Sequence, residues 1–183
     1  MARNSTQNFL KSLKSYSIPT WNELPNLDLY MDQVIQMFEN KFNTSKRNEE
    51  EKVLTKTMIN NYAKGKVFLP IKNKKYSKEH LMLISLIYQL KGSLSIKDIK
   101  DTLQGLNTKL LEENFQLDAF YQSYLTANAK NKELFKQELE LRIEEIQEDE
   151  KYLEQVLLIS SLVQMSNLYR RVAEKLVDEL NNK

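Results

Sequence analysis

The scarcity of glycine and proline constrains this chain more than any other feature. Three of each occur in 183 residues, and the stretch from Lys130 to Lys183 has neither. Glycine and proline punctuate turns and interrupt ladders, so a chain this poor in both is built from long helices with few connections. The expected fold class is therefore mainly all-α. A hydrophobic content of 41% is enough to bury a real core, in one domain or two small ones.

The same inventory removes several kinds of chemistry. There is no cysteine, so disulfides and thiolate metal sites are excluded and a reducing compartment fits. The single histidine, His80, argues against a zinc site and against any scheme needing two imidazoles. It stands beside lysines in the first turn of a helix and is expected to be a solvated surface residue. Ser160 and Ser161 have no partner histidine, and no phosphate-cradling or dinucleotide glycine pattern occurs. No enzyme activity, cofactor or metal is expected. Glu144, Glu145, Glu148 and Asp149 are read as a solvated acidic helix face rather than a cation site. Phe9, Leu10 and Leu13 form no continuous signal-peptide core. The longest apolar run, Val156 to Val163, is broken by two serines and falls far short of the roughly 20 residues that span a bilayer. A soluble cytoplasmic protein without membrane contact is expected.

The net charge of +2 conceals a strong division. Residues 52–91 carry nine lysines against one acid, whereas residues 112–154 carry twelve acids against five bases. Such a split points to a polyanion-binding half and a half with a different task.

Along the chain, residues 1–26 read as an arm, because Pro19 and Pro25 in "SYSIPTWNELPN" forbid a continuous helix. Ile18, Trp21 and Leu24 are expected to pin it to the core. "LDLYMDQVIQMFENKF" reads as a helix with Leu27, Tyr30, Met31, Val34, Ile35, Phe38 and Phe42 on its apolar side. After a polar connection, residues 54–64 form a short helix capped by Thr55 and ended by Gly65. "KVFLPIKNKKY", with Pro70 inside it, suits a small β-ribbon. Ser77 starts a helix with Leu81, Ile84, Leu86, Ile87 and Leu90 on a broad apolar face, broken by Gly92. "SIKDIKDTLQ" is a further short helix, with Ile96, Ile99 and Leu103 on one side and Gly105 after it. The remainder is helical. Residues 130–183 are one very long helix or two, bent near "QEDEKY". Phe120, Tyr121 and Tyr124 are core by their spacing.

On a wheel of about 100° per residue, Met58, Ile59 and Tyr62 share one arc of the 54–64 helix, while Lys56, Thr57, Asn60 and Lys64 lie opposite and Asn61 lies near the boundary. An apolar back with a Lys/Thr/Asn front suits a DNA major groove. Asparagine pairs with two adenine edges, threonine offers a hydroxyl and a methyl, and lysine reaches guanine or phosphate. Lys56, Thr57, Asn60 and Asn61 are the candidate base contacts. Lys64, Lys66, Lys72, Lys74 and Lys75 are the candidate phosphate contacts, gathered at the helix end and on the ribbon that follows. Tyr76 offers a phosphate its hydroxyl or serves as a buried anchor at the ribbon's base.

This order of elements resembles the MerR-like winged helix-turn-helix transcription regulators. The resemblance rests on "TMINNYAKG", which keeps the spacing from Thr57 to the glycine ending the recognition helix. It rests also on "VFLP" as the apolar strand into a proline, and on "KKY", with Lys74 at the wing arginine position and Tyr76 at the wing tyrosine. "HLMLISLIYQLKGSLSIKDIKDTL" looks like the family's long helix, glycine turn and short helix. It covers roughly residues 28–106. The stretch "PNLDLYMDQV…LTKTMINNYAKGKV…KKYSKEHL" is similar to a Firmicutes family, domain of unknown function 1836, itself regarded as MerR-like.

The resemblance implies residues 27–106 as a winged DNA-binding domain, with the recognition helix at about 55–64 in the major groove and a basic wing at about 66–76 on phosphates. Residues 107–183 then form a helical dimerisation or regulatory domain, a bundle or long helices. The expected partners are double-stranded DNA and a second copy of the chain, joined through the band Val156, Leu157, Ser160, Val163, Leu168, Val172, Leu176 and Leu180. The alternatives are that this band covers Phe120, Tyr121 and Tyr124 within one chain, and that the winged fold serves as a protein-interaction adaptor without DNA binding.

Overall fold

The computed structural model describes residues 9, 10 and 17–182. Most of the expected N-terminal arm, including Leu13, lies outside the described residues, as does Lys183. The described chain is mainly helical, with one small antiparallel sheet. Its elements run β1 (Leu29–Tyr30), α1 (Met31–Phe42), α2 (Lys56–Lys64), β2 (Lys75–Tyr76), α3 (Lys78–Leu90), α4 (Ile96–Lys109), α5 (Leu117–Glu145) and α6 (Lys151–Asn181).

Helix α3 is the centre. Every residue from His80 to Ile87 is buried, as its nearly unbroken apolar sequence requires of a helix that cannot present any face to water. Val34, Phe38 and Phe42 of α1 pack around it, with Ile59 and Tyr62 of α2 and Ile99 and Leu103 of α4. Phe42 stacks between Phe38 and Tyr88, with ring centroids 5.9 and 4.1 Å apart. Ile18 and Leu24 are buried and Trp21 packs beside them, so the proline-interrupted segment is pinned as its apolar residues suggested. The core also takes in the start of α5. Tyr121 is fully buried and its hydroxyl donates to the carbonyl of Pro19 at 2.7 Å, with Leu117, Tyr124 and Leu125 packed against the same cluster.

Two expectations about element bounds and one about burial need correction. The first helix begins at Met31, not Leu27: Leu29 and Tyr30 are extended and pair with Tyr76 and Lys75. Leu27 and Tyr30 are accordingly exposed rather than on the apolar face. Gly105 does not end α4, which continues to Lys109. Nothing lies within 4 Å of a Cβ there, so the glycine weakens the helix without breaking it. Ile96, expected on the buried side, is half exposed, because Ser95 caps the helix immediately before it. The Ser95 hydroxyl accepts from Asp98 N–H at 3.1 Å, and the Asp98 carboxylate accepts from Ser95 N–H at 3.2 Å.

The C-terminal half is two helices, separated by Ile146–Glu150. Helix α6 packs against α4, and Asn181 donates to Asp101 at 3.0 Å. Leu158 and Val177 are its buried residues. Val156, Leu157, Val163, Leu168, Val172, Leu176 and Leu180 are instead exposed. The band does not cover Phe120, Tyr121 and Tyr124. Phe120, expected in the core with them, is itself exposed. Among the described residues no helix is long and apolar enough to cross a membrane, and no group of three or more His, Cys, Asp or Glu side chains is placed to hold a metal ion.

Candidate nucleic-acid interface

Helix α2 is built as its sequence prescribes. The Thr55 hydroxyl accepts from Met58 N–H at 3.1 Å and starts it. Ile59 and Tyr62 are buried and Met58 is partly so, while Lys56, Thr57, Asn60, Asn61 and Lys64 are all exposed. The candidate base contacts therefore share the solvent side of one helix, anchored from behind by the core. Asn61, near the boundary on the wheel, falls on the open side.

The helix ends in two backbone bonds that reverse the chain: Val67 N–H to the Tyr62 carbonyl at 2.9 Å, and Lys66 N–H to the Ala63 carbonyl at 3.1 Å. This pattern needs one left-handed residue just past the helix. That residue is Lys66, at φ 54°, while Gly65 stays right-handed at φ −71°. Gly65 relieves crowding instead: a Cβ would sit 3.1 Å from the Asn61 carbonyl oxygen and 3.4 Å from the Val67 side chain, which would have to give by a few tenths of an ångström.

The ribbon is shorter than expected and paired differently. Lys72 and Lys75 form a single antiparallel bridge, closed by Lys75 N–H to the Lys72 carbonyl at 2.9 Å. Asn73 and Lys74 between them both have positive φ, 51° and 58°, the handedness of the tight turns that match strand twist. The partner of β2 is β1, in the register Leu29–Tyr76 and Tyr30–Lys75. No second strand forms over residues 66–71, because Pro70 lacks a ladder donor and Val67 and Phe68 turn into the core. Asparagine takes left-handed φ readily, but a lysine there costs about 1–2 kcal/mol. Backbone strain of this kind clusters at functional sites.

Of the candidate phosphate contacts, Lys64, Lys66, Lys72 and Lys74 are exposed and Lys75 is partly covered, its ammonium 5.4 Å from the centroid of the Tyr30 ring. Tyr76 is 1% exposed and takes the anchor role: its ring meets Phe68 and His80 edge-on, with centroids 6.4 and 5.9 Å away. Burial pushes its hydroxyl pKa up. Among the described residues, Lys64, Lys66, Lys72 and Lys74 have no carboxylate within ion-pair distance, so their charge faces outward unneutralised. Lys56 differs, with its ammonium 2.8 Å from Asp32 at the start of α1. Both ends of that pair are well exposed, so the bond is weak and exchangeable.

His80 is the main correction at the site. It is 6% exposed, not solvated. Its Nδ1 accepts from Ser77 N–H at 3.2 Å, and its Nε2 lies 3.1 Å from the Leu69 carbonyl oxygen, which fixes the neutral tautomer with the proton on Nε2. Burial holds its pKa below the usual histidine value. Asn107 of α4 makes the corresponding bond to Val67, donating to its carbonyl at 3.0 Å. Neither support was marked by periodicity. The one available signal was Ser77 three residues ahead of His80, a capping-box spacing with histidine in place of an acid.

Residues 19–124 match a known family, Domain of unknown function (DUF1836). The chain belongs to that family. The matched region runs from the pinned proline segment to Tyr124 in the first turns of α5. It contains α2, the turn at Asn73–Lys74 and their supports, and leaves the rest of α5 and all of α6 outside. No curated protein and no solved structure matches the chain.

Proposed function

We propose that this member of the family is a sequence-specific DNA-binding transcription regulator of the MerR-like winged helix-turn-helix kind. The observation that carries it is the solvent face of α2, with Lys56, Thr57, Asn60, Asn61 and Lys64 exposed, followed by Lys66 just past the helix and Lys72, Lys74 and Lys75 at the turn, on a connection that His80 braces at Leu69. In this reading α2 enters the major groove, and Asn60 and Thr57 read base edges. The lysines fix register on phosphates. Lys56 leaves Asp32 for the DNA, and Tyr76 holds the turn from beneath. Gel shifts against genomic fragments at several salt concentrations test it.

A single short helix reads few base pairs, so the reading includes two copies on paired half-sites. The exposed band on α6 is the proposed dimer surface. Its large apolar side chains are about half exposed, as an uncovered interface would leave them. From Leu168 the positions are four apart, and each such step advances about 40° around the axis. The band winds, which suits a second α6 crossing at an angle better than a straight seam.

A further inference from the structure

A cleft of about 530 Å³ lies behind the α2–β2 connection, between it and the last turns of α4. Its volume is within the range of small-molecule sites. Phe68, Pro70 and Ile71 give it an apolar side, and Leu111, 74% exposed, stands at its edge. Lys66 and Lys100 line it from opposite elements, and no carboxylate does. Neither lysine has an ion-pair partner among the described residues. Asn107, also in the lining, leaves its buried side-chain oxygen, an acceptor, without a hydrogen-bond partner, so that atom takes no part in holding an anion. The cleft thus offers two lysines without ion-pair partners beside apolar side chains.

We propose that this cleft binds a small organic carboxylate with an apolar body, the carboxylate between Lys66 and Lys100 and the body against Phe68, Ile71 and Leu111. Lys66 is also a phosphate contact in the DNA-binding reading, and the second half of the inference rests on that reading. A carboxylate that neutralises Lys66 competes with DNA for it, so occupancy weakens DNA binding, and DNA weakens carboxylate binding by the same factor.

The test uses octanoate as the probe, measured by calorimetry on the full chain without DNA. Octanol supplies the same body without charge, and inorganic phosphate supplies charge without the body. Octanoate is expected to bind in the micromolar to millimolar range and the other two at least tenfold more weakly. Lys100→Ala, which touches no proposed DNA contact, is expected to raise the octanoate Kd about fivefold or more. Thr108→Trp, which fills the cleft, should abolish binding. Octanol binding as tightly as octanoate, or octanoate binding unchanged in both variants, overturns the proposal, as does no octanoate binding to the folded wild type at 10 mM. In a second arm, saturating octanoate is expected to raise the DNA Kd at least threefold. An unchanged DNA Kd overturns the competition while leaving the site. A chain that binds octanoate but no DNA overturns the DNA reading instead.

Discussion

The His80 imidazole and the Leu69 carbonyl meet at 3.1 Å, and this bond joins the central helix to the connection that carries the basic turn. Because Nδ1 of the same ring accepts from Ser77 N–H, a second proton on the imidazole would break the cap of α3. Burial lowers the His80 pKa, opposed first by the bond to the Leu69 carbonyl and then by the charges of Glu79 and Asp28. The unfolded chain, with its ordinary histidine value near 6.5, therefore binds the proton first as pH falls. Stability is full above that value and declines below it toward the lower folded pKa.

Urea unfolding at several pH values between about 5 and 8 checks this. The wild type should lose stability below about pH 6.5. His80→Ala should flatten that dependence and destabilise the protein at pH 8 by about 2–4 kcal/mol, through the lost bonds and the space left beside Phe68 and Tyr76.

Lys74 displays its charge at the cost of a left-handed backbone. Lys74→Gly should raise stability by about 1 kcal/mol, seen as a higher urea midpoint with unchanged slope. The same variant should bind DNA more weakly. A stabilised protein that also binds DNA as well as the wild type would remove Lys74 from the interface.

Asn60→Ala should weaken binding at the preferred DNA site by about 1–3 kcal/mol and change binding to random DNA far less. Competition gel shifts with both DNAs give the comparison. Equal losses on both would make Asn60 a positioning residue, and Asn61 would then be tested in the same way.

Sedimentation at micromolar concentration should show a species of twice the chain mass. A single species at 21.6 kDa would contradict the dimer. Truncation after Gln147 removes the whole of α6 and should leave monomers.

How far the sequence disclosed the molecule follows from what each residue answers to. Leu81, Ile84 and Ile87 repeat at helical spacing and lie in the core as that spacing implied, and Thr55 caps α2 because a cap is a local bond. The solvent face of α2 was legible for the same reason. The β1–β2 pairing was not, because it joins residues far apart in the chain and only two pairs long, too short to leave an alternating pattern. His80 was misread because a lone histidine among lysines looks solvated until Leu69 and Ser77 are brought to it. Gly65 was expected to end α2 and does so, but the left-handed residue of that end is Lys66, which its residue type does not announce.

In the DNA-binding reading the lysines around the α2–β2 connection neutralise phosphates, and the salt dependence of DNA affinity counts how many do so. If each subunit of a dimer uses about four of them, log affinity should fall against log salt with a slope near −7, and Lys74→Ala with Lys75→Ala should reduce that slope by about 3–4. A slope left unchanged by the double variant, or no DNA binding by the folded wild type at low salt, would contradict the account.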